Sequence, residues 1–134
     1  MAQDKYATLS RYSGKYPDSR FFALPEVAQP LHRLLGGNVT DFRSLFQVKF
    51  PLGMVGTDLV AEGCVRHECA ERRAAFAIDL QTGHISAATL NDHRFTIYSD
   101  RGKQYLDLNP GLRMWISRVT DETTPGKMSF SFVK

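Results

Sequence analysis

Apolar and polar positions change their rhythm along this chain of 134 residues. The first forty-odd positions group apolar residues as helices and turns do. Tyr6 to Tyr12 predicts a short helical turn, Gly14 to Asp18 a loop, and Phe21, Phe22, Leu24 and Val27 supply apolar anchors. Pro30 suits the first turn of a helix, where its missing N–H is harmless. Leu31, Leu34 and Leu35 then lie on one face, and Gly36-Gly37 ends the helix. Asp41 is placed to cap another short turn carrying Phe42, Leu45 and Phe46.

The middle of the chain takes the two-residue period of strands. Phe46-Gln47-Val48-Lys49-Phe50 alternates apolar with polar residues. Leu59 to Gly63 predicts the next strand, ending at Cys64. Ala74 to Leu80 is longer, with Phe76, Ile78 and Leu80 on one face. Gln81-Thr82-Gly83 signals a turn, His84 to Leu90 follows, Arg94 to Tyr98 alternates again, and Ser99 to Gly102 turns. Asn109 is a good N-cap with Pro110 behind it, and Leu112, Trp115, Ile116 and Val119 keep helical spacing to about 120. Trp115 therefore reads as a core residue. Met128, Phe130 and Phe132 alternate as a last edge strand. Helices, a strand meander, a helix and a final strand predict an α+β fold: one domain over 1–134, with an antiparallel sheet of about five strands covered by helices.

Composition agrees with a packed domain: 43% of residues are hydrophobic, 23% are charged, and no tract is biased. The formal charge of +3 is spread over scattered Lys and Arg. No basic run interleaves with aromatics, so no nucleic-acid face is expected. No run of about 18 apolar residues exists to cross a membrane. Met1 to Tyr6 lacks the apolar segment of a signal peptide, which leaves a cytosolic protein or a mature secreted domain as readings.

Candidate chemistry gathers at Cys64-Val65-Arg66-His67-Glu68-Cys69. The two cysteines stand five positions apart, one ending a predicted strand and the other preceding the next. That distance is short enough to close a disulfide across the base of a hairpin loop, and this favours the secreted reading. So small a ring adds only about 2 kcal/mol, so its use is local: four residues held in one shape lose less entropy on docking. His67 sits inside the ring among polar neighbours, where it is either a plain solvated histidine or a hydrogen-bonding contact for a partner. Cys64, His67 and Cys69, with His84 or His93, could also be read as metal ligands, but the C-x4-C spacing is not that of a zinc knuckle with a second ligand pair. Redox C-x-x-C spacing, a phosphate loop and a G-x-S-x-G elbow are missing. Metal, cofactor and enzymatic activity are therefore not expected.

This loop resembles the C-x-x-H-x-C loop of the inhibitor of vertebrate lysozyme (Ivy) family. The strand into Gly63-Cys64, the direct passage to the strand Ala74 to Leu80, and the length and element order are also similar. The resemblance is specific at the loop and looser elsewhere. It implies a periplasmic α/β protein that protects bacteria from host lysozyme. The Cys64–Cys69 disulfide would close a protruding loop that enters the lysozyme cleft. The loop histidine, here His67, would hydrogen-bond the catalytic carboxyl groups, flanked by Val65, Arg66 and Glu68. Val65-Arg66 stands where the family's loop has Lys-Pro, and Glu68 where it has Asp. The family is also linked to restraint of bacterial lytic transglycosylases, so a protein of this fold that binds such an enzyme without inhibiting lysozyme is the alternative expectation. Dimers among its members add a homodimer to the expectations.

Overall fold

The alternation read along the chain builds one sheet with helices on both faces. The computed structural model describes residues 4–122 and 128–133. Helices α1 (Asp4–Ala7), α2 (Ser19–Ala23), α3 (Pro25–Leu35) and α4 (Val39–Ser44) come first. Strands β1 (Val48–Lys49), β2 (Gly53–Val55), β3 (Asp58–Cys64), β4 (Arg72–Asp79), β5 (Ile85–Asn91) and β6 (Arg94–Ser99) follow, then α5 (Pro110–Glu122) and β7 (Ser129–Phe132). Short 3-10 turns cover Thr8–Tyr12, Gly36–Asn38 and Tyr105–Asp107. The strands run β1-β3-β4-β5-β6-β7 across the sheet, with β2 also on β3. Neighbours are antiparallel except β6 and β7, which are parallel. The protein is thus α+β, with seven strands among the described residues rather than about five.

Two apolar layers hold the sheet. On one face, Phe21, Phe22, Phe42 and Phe46 from the N-terminal half close around Phe76 of β4, at ring separations from 6.1 Å to 6.4 Å. Rings at such distances add to the roughly 1.5–3 kcal/mol that burying each large apolar side chain contributes. On the other face, Leu112, Trp115, Ile116 and Val119 of α5 pack on Ala75, Ala77, Ala88, Leu90, Phe95 and Ile97. The alanines leave room for the helix and its tryptophan.

Four local expectations change. The helix expected from Pro30 begins at Pro25, and Pro30 lies inside it, buried. Pro25 takes the favoured first position, and Pro30 forgoes a single ladder bond while packing in the core. Asp41 is not a cap: it lies in the first turn of α4, where its charge suits the helix dipole. The strand expected over 46–50 shrinks to Val48–Lys49, because Phe46 turns into the aromatic layer. β2 is too short to have shown a period. The final strand, expected from Met128, begins at Ser129 and does lie at the sheet edge.

At the far end of the sheet from β3's C-terminus, His84 is buried at 7% exposure. Its Nδ1 contacts the Asp100 carboxylate, and its Nε2 lies 2.8 Å from the Asp107 carbonyl oxygen. Each ring nitrogen thus faces an oxygen acceptor inside the molecule. The other Asp100 oxygen accepts the Ile85 N–H at 3.2 Å. Burial pushes the Asp100 carboxyl upward, but the bond and charge of His84, the Ile85 amide and Arg101 outweigh burial and hold it below its ordinary value.

A carboxyl lowered by folding stabilises the fold at pH values above its unfolded pKa of about 3.9, and that contribution fades as pH falls through the lowered folded value. Asp100→Asn should therefore lower Tm at neutral pH, with the gap to the unsubstituted protein closing as pH drops below about 4. Thermal unfolding followed across that range checks this, and a gap independent of pH would contradict it.

Candidate partner-binding loop

The loop grows from the end of the β3–β4 ladder. Cys64 pairs with Arg73 as the last rung, and Val65 N–H donates to the Arg72 carbonyl at 3.0 Å beyond it. Cys64 and Cys69 are joined by a disulfide, with Cα atoms 4.9 Å apart. Inside that ring the chain reverses in one turn, closed by Glu68 N–H donating to the Val65 carbonyl at 2.9 Å. His67 is the third residue of the turn, with φ +66°. Positive φ at this position marks a type II turn, where glycine is usual, and a side chain there costs roughly 1–2 kcal/mol. A second turn follows, with Glu71 N–H and Arg72 N–H both donating to the Glu68 carbonyl.

The expected contact residues divide by exposure. Arg66 and His67 are exposed, and Glu68 is half-buried. Val65 is 5% exposed, so its side chain shapes the loop from within. Glu68 pairs with Arg72 at 3.5 Å, both side chains 42% exposed, and so open a pair contributes little to stability.

Supports outside the loop were not visible in its motif. Gln47 accepts the Arg66 N–H through its side-chain oxygen at 3.2 Å. This strut reaches 19 positions along the chain, and only the β1–β3 register, Val48 opposite Cys64, brings it there. Gly63 lies so close to Phe46 that a Cβ would come within 2.6 Å of its ring. The strand entering the loop is therefore pressed against the aromatic layer.

The histidines weighed as ligands fall at opposite ends of the sheet. β5 begins opposite Ile78 and ends opposite Arg72, so His84, just before β5, stands at the opposite end of the sheet. His93 lies in the β5–β6 turn at the loop's end. Among the described residues, no group of three or more His, Cys, Asp or Glu side chains could hold a metal ion. No helix among them is long and apolar enough to cross a membrane.

A family model described as inhibitor of vertebrate lysozyme (Ivy) matches residues 26–121, well over half of the chain, including the whole loop. Comparisons with curated proteins and with solved structures each gave no match.

Because hydrogen bonds already fold the loop, the disulfide should not hold up the rest of the protein. Replacing both cysteines by alanine should lower stability by about 2 kcal/mol and Tm by about 6 °C, with unfolding still cooperative. Calorimetry checks this, and loss of the cooperative transition would show that the fold depends on the bond.

Proposed function

The chain belongs to the Ivy family of lysozyme inhibitors, and from that premise we propose that it blocks c-type lysozyme by setting the loop 64–69 into the active-site cleft. The observation that carries this reading is the placement of His67: exposed, at the tip of a turn held by a disulfide and a hydrogen-bonded frame.

The chemistry of the target makes an imidazole effective. Lysozyme needs one protonated carboxyl group as acid and one ionised carboxylate on the other side of the scissile bond. A neutral imidazole has one donor and one acceptor nitrogen. Placed between the two carboxyl groups, it donates to the ionised one and accepts from the protonated one. It then occupies the site of the glycosidic oxygen and ties up both catalytic roles. Arg66 and Glu68 flank it at the cleft rim. A turn already fixed in shape loses little entropy on docking, which supports tight binding from few residues. A disulfide persists in oxidising compartments, which supports export to the periplasm. The protein acts as a binding partner and performs no chemistry on the enzyme.

His67→Gly isolates the imidazole, because glycine accepts the positive φ without strain. It should raise the inhibition constant against c-type lysozyme about 100-fold, the scale of an interface hot spot, while leaving Tm unchanged or higher. A peptidoglycan turbidity assay measures it. Inhibition at the original strength would remove the mechanism.

A further inference from the structure

The loop's neighbour at the same end of the sheet is the β5–β6 turn. Asn91 and Arg94 pair as the last rung of that hairpin, and Asp92 and His93 form its tip. Both tip residues have positive φ, +48° and +71°. This is the signature of a type I′ turn, whose preferred sequence is Asn-Gly. Asp92, His93 and His67 are the positive-φ residues other than glycine among the described residues, and all stand at this one end of the molecule.

The two turns are physically joined. Asp92 N–H donates to the Glu71 carbonyl, the last residue of the loop, at 2.9 Å. Arg72, which follows, pairs with Asn91. The Asp92 side chain is 84% exposed beside the loop, with its Oδ1 3.5 Å from the Nδ1 of its neighbour His93. A stable protein interface takes roughly 20–30 residues a side, and the four residues between two cysteines cannot supply it. Whatever receives the loop must also meet what stands next to it.

We propose that the β5–β6 turn, Asn91–Arg94, is a second contact element that docks on the enzyme receiving His67, with the Asp92 carboxylate as its leading group. This rests on the lysozyme-blocking reading and extends it. Asp92 would meet a cationic or N–H donor group at the rim of the partner's cleft. Its backbone N–H, spent on Glu71, fixes the distance between the two elements. Strain kept at three non-glycine positions at one end of the molecule fits a surface selected for contact over stability.

The test uses the full chain carrying Asp92→Gly or Asp92→Asn. Glycine accepts the positive φ and keeps the backbone bond to Glu71, so Asp92→Gly should hold Tm or raise it by roughly 2–5 °C. It should weaken lysozyme inhibition about tenfold, the loss of a good rim contact. Asp92→Asn keeps the turn and removes the charge, so it should weaken inhibition less and flatten its salt dependence. Inhibition by Asp92→Gly at the original strength, while His67→Gly loses it, overturns this proposal alone. A fall in Tm for Asp92→Gly overturns it by contradicting the strain. An unsubstituted chain that fails to inhibit overturns both this and the reading beneath it.

Discussion

The burial of β4 on every side is the constraint from which the rest of the structure follows. Arg73 to Ile78 are six consecutive buried residues. β3 and β5 saturate both edges of this strand, the aromatic layer covers one face, and α5 covers the other. A strand enclosed in this way offers nothing to a partner along its length. Groups that meet other molecules must leave the ladder at its ends. The Cys64–Cys69 loop leaves at one of them, and its exact direction is inherited from the strand behind it.

Locking α5 onto the sheet is therefore also a way of fixing the loop. The buried Asp58 carboxylate accepts from Asn109 Nδ2 at 3.0 Å and from Gly111 N–H at 2.9 Å, so a strand residue caps the helix. Ser86 donates to Asn109 Oδ1 at 2.6 Å and accepts its backbone N–H at 3.0 Å. Each of these groups is satisfied, which is the condition under which a buried polar network specifies one arrangement. Gly111 permits the closeness: a Cβ there would stand 2.5 Å from Val60 Cγ2. One turn on, the Trp115 indole donates to Glu62 at 3.1 Å, and Glu62 also pairs with Arg73 and Arg118. Glu62 is two residues before Cys64. The base of the loop is thus gripped from α5 on one face, and from Phe46 against Gly63 on the other.

The sequence disclosed what depends on period and on local chemistry. Phe76 and Ile78 fall on one apolar face, and Leu112, Trp115, Ile116 and Val119 on the buried stripe of α5, because both periods are carried by large side chains. The second buried face of β4 was hidden, since Ala75 and Ala77 bury little area and read as neutral. The start of α3 was misplaced because two prolines, Pro25 and Pro30, offered the same signal, and only core packing decides between them. The loop motif was legible as six contiguous residues. Its support was not: Gln47 and Asp92 reach it through strand register, which no local pattern encodes.

Two histidines show where residue type stops being informative. His67 and His84 each stand in a connection between two strands. In the fold, His84 has an acceptor at each ring nitrogen, Asp100 and the Asp107 carbonyl, and is enclosed by the ends of β5 and β6 and the turn before α5. Its hydrogen-bonding capacity is consumed inside the molecule, and it can recognise nothing. His67 stands on a turn whose closing bonds are made by backbone groups and by the disulfide. Holding the shape of that turn makes no demand on its imidazole, and the ring stays exposed. Recognition requires this division of labour. A frame that used the histidine to fix its own shape would have nothing left to offer a partner, and an imidazole on an unframed loop would lose much of its binding free energy in becoming ordered.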